Sequence, residues 1–309
     1  RGSPILFPDT DWTMADFRRT AELLTCDFDG DGTLDQFGFW LPRWVYYLPF
    51  IWSFGAELTD GALTEWRFTG PAAEAALTFY QDLAVGNRVC PRDDEVPQLF
   101  QDVGFLTGKV AMCINGPWFQ PLLAEISLAD SYFVAPIPIG AGGRATRMTW
   151  DGVVMAPNLP PERQALAEQF VRFMLSKAVQ DRIAATGKAL PALRASLPAF
   201  IDPRGNIRRQ VFVDALTYSR TQPLLPDFGQ VDHAINDHLR NLLTSPDHAD
   251  ASRAIGLRQR AAGFSPRGVQ TPESSSDAEE SPDVRRVLEE LAADPAVLQA
   301  FPGQRGNQP

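Results

Sequence analysis

Long apolar runs are missing from this chain of 309 residues. A membrane-spanning helix needs roughly 18 uninterrupted apolar residues, and the densest stretch, Val45 to Phe54, is too short, so it reads as a core helix or a groove wall. Cysteine is scarce. Cys26, Cys90 and Cys113 form an odd, scattered set without metal or redox spacing, which excludes a disulfide-rich scaffold and a thiolate metal centre. Small buried roles suit them, with a bridge between two of them left open. The histidines His233, His238 and His248 make no metal pair, because the first two stand five residues apart, about 140° around a helix. His-Glu-x-x-His, Gly-x-Ser-x-Gly, a P-loop and a Rossmann fingerprint are all absent, and nothing calls for a cofactor. Positive charge is in deficit: 28 Lys and Arg against 38 Asp and Glu leave a net charge of −10. Phosphate backbones are repelled by such a surface, so nucleic acid is excluded as a partner, and Arg204, Arg208 and Arg209 read as a solvated face.

What is present is a composition with 44% hydrophobic residues, enough to bury a core in one large or two ordinary domains. Thr13 and Asp16 predict a capping box that opens a helix up to Thr25. Pro71 after Gly70 predicts a helix to Gly86, Val96 to Phe105 a shorter one, and Pro160-Pro161 opens an amphipathic helix to Leu175, followed by another from Ala178 to Ala185. Further helical patterns lie near Ile207 to Tyr218, Val231 to Leu243 and Ala249 to Ala261. Strands are expected at Gln36 to Trp40, Val110 to Ile114, Tyr132 to Ala135 and Val153 to Ala156. The mixture argues for α/β. From Gly263 the composition turns to Ser, Pro and acid, too poor in apolar surface to fold, while Val284, Val287, Leu288 and Leu291 give Asp283 to Phe301 one apolar helical face.

The most informative segment is Gly108-Lys-Val-Ala-Met-Cys-Ile-Asn-Gly-Pro-Trp118. Asn115, Gly116 and Pro117 force a turn directly behind a short apolar run, and Pro117 suits the first position of a following helix, so Trp118 is held at the mouth of that turn. A fixed indole offers a flat apolar face, which suits the C–H face of a sugar ring. Thr149-Trp150-Asp151-Gly152 sets a second indole beside a carboxylate, a pair that reads sugar by stacking and by accepting hydroxyl hydrogens, or else a packed Trp beside an Asp turn. Asp27, Asp29, Asp31, Gly32 and Asp35 occupy the spacing of an EF-hand loop, but its twelfth position is Gly38 instead of a bidentate Glu. An Asx-rich turn is the expectation, with weak calcium binding as the alternative.

In this order, Trp12-Thr13, the Asp27 to Asp35 loop before Phe37-Gly38-Phe39, Leu48 to Gly55, Gly108 to Trp118, Val134 to Pro138 and the Ala165 to Leu175 helix resemble the family 1 extracellular solute-binding proteins of carbohydrate ABC importers, which are maltose-binding-protein-like. The resemblance runs from about Pro8 to about Arg260. It implies a type II periplasmic-binding-protein-like fold, made mostly of the C-terminal lobe plus the returning segment of the N-terminal lobe, with the opening part of that first lobe lacking. On that pattern residues 1–150 are the first part of the C-terminal lobe, 151–205 the returning segment, 206–262 further helices of the C-terminal lobe, and 263–309 a largely disordered acidic tail. It further implies that Trp118 stacks on sugar, and it puts Asn115, Trp150, Asp151, Trp40, Trp44 and Tyr47 at the cleft. Trp52 is expected in the core.

The function so implied is that of a monomeric receptor binding a sugar or oligosaccharide and handing it to the transmembrane subunits of an ABC permease, without catalysis. Its place would be periplasmic or extracellular, reached by a signal peptide or lipoprotein anchor in the full-length form; the chain itself shows no initiator Met, basic leader or cleavage site. Two other readings compete. A glycan-active enzyme would need a carboxylate pair such as Asp151 and Glu57, and a truncated, non-transporting remnant or interaction module would expose half a cleft.

Overall fold

The computed structural model describes residues 8, 10–41, 44–91, 101–126, 132–201, 209–243 and 282–301. Its helices, in chain order, are α1 (Met14–Leu23), α2 (Leu48–Ser53), α3 (Pro71–Gln81), α4 (Gln101–Leu106), α5 (Gln120–Glu125), α6 (Pro161–Met174), α7 (Lys177–Ala185), α8 (Leu197–Phe200), α9 (Gln210–Asp214), α10 (Phe228–Leu243), α11 (Pro282–Ala293) and α12 (Pro295–Ala300). Two compact units result. Unit 1 comprises Arg1–Ile114, Ile137–Arg147 and Thr221–Pro309; unit 2 comprises Asn115–Pro136 and Met148–Arg220. The divisions between the units fall after 114, 136, 147 and 220.

Unit 1 begins with the expected capping box. The Thr13 hydroxyl accepts from the Asp16 N–H at 3.2 Å, and the Asp16 carboxylate accepts from the Thr13 N–H at 2.9 Å and from its hydroxyl at 2.7 Å. These bonds, the hydroxyl first, hold the Asp16 carboxyl below its ordinary range. Phe17 and Ala21 of α1 face inward. Gly38 passes so close to them that a Cβ there would lie 1.9 Å from the Ala21 carbonyl oxygen. Thr25 completes the junction, donating to Ala21 O at 2.8 Å and accepting from Gly38 N–H at 3.0 Å. Phe17 then meets Phe39 edge-on at 4.8 Å and Phe50 at 5.9 Å, and Phe50 meets Phe79 of α3 at 6.2 Å. All six residues of α2 are buried, Trp52 among them, so this apolar run is core helix. Each of its large apolar side chains, Leu48, Phe50 and Ile51 among them, contributes roughly 1.5–3 kcal/mol through burial.

The expected strand at 36–40 pairs with the one at 110–114 through a single parallel bridge, Phe37 with Val110, flanked by Phe37 N–H to Lys109 O and Ala111 N–H to Phe37 O, each 2.9 Å. Tyr132 to Ala135 and Val153 to Ala156 form no ladder among the described residues. An apolar run favours extended backbone, but a strand exists only with a neighbour to take its hydrogen bonds.

Within the acidic tail, Pro282–Ala293 and Pro295–Ala300 are helical, and Val284, Val287, Leu288 and Leu291 form the buried face expected of them, α11 packing on α10 and α3. Phe301 follows, buried, with its ring 6.0 Å from Trp66. His238 of α10 fixes the same junction, Nε2 lying 3.2 Å from an Asp294 oxygen and Nδ1 3.7 Å from Glu290. Residues 263–281 and the helical pattern at Ala249 to Ala261 lie outside the described residues.

Unit 2 has a small core of Phe119, Leu123, Ala184 and Phe200, supplemented by buried Gln120, Gln180 and Ser196. Polar clamps tie it together. The Arg209 guanidinium donates to Gln120 Oε1 at 3.1 Å and to Phe200 O at 3.2 Å, and lies 5.8 Å over the Phe200 ring. It fills the space that a Cβ on Gly187 would need, where Gly187 closes α7 at φ +72°. Gln180 accepts from Ala192 N–H at 2.8 Å and donates to Met174 O at 2.9 Å.

Candidate functional site

Asn115 to Trp118 is built as a rigid ring holder in unit 2. Asn115 Oδ1 accepts from the Gly116 N–H at 2.9 Å, and Pro117 opens the 3-10 turn Pro117–Phe119 that runs into α5. The Trp118 ring folds back over Gly116: a Cβ there would lie 2.0 Å from a ring carbon, so only glycine leaves this room. Phe119 and Gln120, the next two residues, are buried. Trp118 itself stays 40% exposed. The indole is thus backed by its own turn, anchored by its neighbours and open on its outer side.

Trp150, at 61% exposure, and Asp151 also stand on the surface of unit 2. Trp40 is half-buried in unit 1, where its N–H donates to Met112 O at 2.9 Å and its ring edge faces Gly104 of α4. Trp44 lies in the 3-10 turn Trp44–Tyr47, its side chain outside what is described. Lys188 and Arg194, which flank the Gly187 turn, are exposed.

Tyr47 does not belong with these residues. It is 1% exposed, and its hydroxyl donates to Asp232 Oδ1 at 2.8 Å. A ring without accessible surface cannot touch a ligand, so its assignment to the cleft is withdrawn. Sequence reasoning missed its partner. Asp232 is buried on α10, whose apolar stripe of Phe228, Val231, Ile235, Leu239 and Leu242 it interrupts, and an acid at a stripe position was the available signal. Desolvation raises the Asp232 carboxyl above its ordinary range, against the opposing pull of the Tyr47 hydroxyl and the Arg147 charge. Burial, reinforced by the same carboxylate, pushes the Tyr47 hydroxyl well above its ordinary value. The group is an internal clamp.

The cysteines are not activated. Cys26, Cys90 and Cys113 are free thiols, so the bridge left open in the sequence is not formed. Burial pushes Cys113 up to about 12 and raises Cys90 and Cys26 as well, which removes the thiolate that nucleophilic chemistry requires. Carboxylate oxygens of Asp27, Asp29 and Asp35 gather within 4.8 Å of one another. Yet Asp27 accepts from the Gly30 and Gly32 N–H groups at 2.7 and 2.9 Å, Asp35 from Phe28 at 2.6 Å, Asp29 from Asp31 at 3.1 Å and Asp31 from Thr33 at 2.6 Å. This is an Asx-turn network that uses its own backbone, and the Gly32 bond first among them lowers the Asp27 carboxyl.

Solved structures define the fold. The maltose/maltodextrin-binding domain from Bdellovibrio bacteriovorus bound to maltotriose matches with a TM-score of 0.65 at 17% identity, over 82% of this chain and 68% of that one. An ABC substrate-binding protein from Listeria monocytogenes in complex with cycloalternan matches with 0.62 at 19%, over 84% and 66%. A solute-binding protein of Thermotoga lettingae bound with alpha-D-tagatose matches with 0.63 at 19%, over 81% and 65%. The fold is therefore the type II periplasmic-binding-protein-like fold, mixed helix and sheet. Residues 3–181, more than half of the chain, match the bacterial extracellular solute-binding protein family, and the chain belongs to that family. Curated binding proteins of Brucella abortus and Brucella suis are 24% identical over 215 residues, which is 67% of this chain and 50% of theirs. The chain thus spans about half the length of the curated relatives it matches. Family and neighbours alike are binding proteins. Among the described residues, no helix is long and apolar enough to cross a membrane.

Proposed function

We propose that this chain is part of the solute receptor of an ABC importer and takes a sugar or oligosaccharide by aromatic stacking. The observation that carries the proposal is Trp118, a ring backed by Gly116, flanked by buried Phe119 and Gln120, and 40% exposed. Pre-positioned aromatic faces suit sugar because little side-chain freedom is lost on binding. Trp150 adds a second exposed ring and Asp151 a carboxylate that accepts hydroxyl hydrogens; Trp40 and Trp44 are the candidates in unit 1. Asn115 acts through the turn, since its Oδ1 is held by Gly116 N–H. In this role residues 1–150 and 206–262 supply the C-terminal lobe and residues 151–205 the returning segment of the first lobe. The ligands of the solved neighbours, among them maltotriose, cycloalternan and tagatose, support a carbohydrate. Delivery to permease subunits, an extracytoplasmic location and action as a monomer without catalysis follow from the same reading.

Thermal melting of the chain against a panel of linear and cyclic glucans, monosaccharides, polyols and amino acids tests the ligand class. A saturable rise in Tm confined to sugars is expected. A rise confined to amino acids, or none with any sugar, overturns the assignment.

A further inference from the structure

Arg209 reads from composition as part of a solvated face, but in unit 2 it is half-buried and its guanidinium is engaged by several elements at once. Its Nε donates to Gln120 Oε1 at 3.1 Å, and its Nη1 to the carbonyls of Phe200 at 3.2 Å and Ala185 at 3.5 Å. The Phe200 ring lies 5.8 Å from its central carbon. A Cβ on Gly187 would stand 2.5 Å from its Cζ and Nη2, so the glycine that closes α7 also makes room for the guanidinium. Tyr132 is close enough to feel it: burial raises the Tyr132 hydroxyl above its ordinary value, and the Arg209 charge opposes the rise. One side chain thus joins the start of α5 to the ends of α7 and α8. A planar fork serves several acceptors in fixed directions, which a lysine ammonium on its flexible stem does not.

Gln120 brings this clamp to the candidate site. It is the first residue of α5, 3% exposed, and its N–H donates to Pro117 O, closing the 3-10 turn that bears Trp118. Its Oε1 accepts from Arg209, whereas its Nε2 is buried without a hydrogen-bond partner among the described residues. Leaving a buried donor unpaired costs free energy, and an aliphatic side chain would fill the same space without that cost. What the amide supplies here is the acceptor for Arg209. Gly116 backs the Trp118 ring on one side of the turn, and Gln120 fixes the turn on the other. We propose that Arg209 is a positioning residue for the candidate sugar site: through Gln120 Oε1 it holds the Trp118 turn, and through Ala185 and Gly187 it locks that turn to the end of α7. Its meaning for binding rests on the sugar-stacking reading; its hold on the ring does not.

Fluorine NMR of the full chain labelled with 5-fluorotryptophan tests it. The protein has seven tryptophans, and the Trp118 line is the one that Trp118→Phe removes. Gln120→Met fills the same space but offers Arg209 no acceptor, and Arg209→Lys keeps the charge but loses the fork. Gln120→Glu keeps the acceptor and gives up only an amide donor that has no partner. Expected is a Trp118 line that moves and broadens in Gln120→Met and Arg209→Lys and stands at its wild-type place in Gln120→Glu, with the lines of the unit 1 tryptophans unmoved. Affinity for the probes maltotriose or tagatose falls roughly 10-fold in the first two variants and stays within about 2-fold in Gln120→Glu. A Trp118 line unchanged in Gln120→Met overturns the proposal. So does a line displaced as far in Gln120→Glu as in Gln120→Met, which makes Gln120 a packing residue. The two Gln120 variants decide the result even where Arg209→Lys does not fold. A wild-type chain that binds neither probe, with its Trp118 line responding as expected, counts against the sugar reading and leaves the positioning standing.

Discussion

Replacing Tyr47 by Phe removes one oxygen from the interior of unit 1 and leaves the ring in place. That oxygen donates to Asp232 Oδ1 at 2.8 Å, where both side chains are buried. A hydrogen bond to a charged group is worth more than one between neutral groups, so the expected loss is about 2–3 kcal/mol. For a unit of this size that is a fall of roughly 4–12 °C in Tm. The loss also depends on pH. The Asp232 carboxyl is already raised above its ordinary value by desolvation, and the Tyr47 hydroxyl is the first of the groups pulling it down, so Tyr47→Phe raises it further. A carboxyl raised in the folded state loses stability as pH climbs from its unfolded value through its folded one. The deficit of the variant is therefore smaller at pH 4 than at pH 7. Urea and thermal melts at the two pH values, followed by far-UV circular dichroism, measure it. An unchanged melt at pH 7 would refute the clamp, and unchanged melting with lost sugar binding would return Tyr47 to the ligand.

Two further outcomes follow from particular contacts. Leu291→Ala opens a cavity where α11 meets α10 and α3, at a side chain with no exposure, and costs about 2–5 kcal/mol; limited proteolysis should then release the C-terminal segment from 282 onward, and a protected segment would contradict the docking. Gly116→Ala sets a Cβ against the Trp118 ring and displaces it, while Gly116, at φ −100°, tolerates alanine in its backbone. A shift in tryptophan emission and at least about 10-fold weaker sugar binding are expected, with folding stability unchanged within about 0.5 kcal/mol, as for a surface substitution.

Local chemistry was legible in the sequence. The Thr13 and Asp16 box needs only residues three apart, Pro71 and Pro161 open helices as their fixed φ directs, and the four apolar residues of α11 lie on the buried face that their spacing describes. The turn that holds Trp118 could be read from Asn-Gly-Pro, although the reason for the glycine, a ring folded onto it, needed coordinates. Pairing was not legible. Val153 to Ala156 has the composition of a strand, and no property of those four residues reports whether a neighbour lies beside them. Tyr47 shows the same limit for a site: an aromatic in an aromatic-rich stretch reads alike whether its hydroxyl meets ligand or a carboxylate 185 residues further along the chain.

The central claim is that Trp118 is the ring on which sugar stacks. Calorimetric titration of the wild-type chain and of Trp118→Ala with the sugar that gives the largest rise in Tm tests it directly. The account predicts saturable 1:1 binding to the wild type and a loss of about 2 kcal/mol, roughly 30-fold, in the variant at unchanged folding stability. Equal affinity in the two proteins, or no saturable heat from a cooperatively folded wild type, would contradict it.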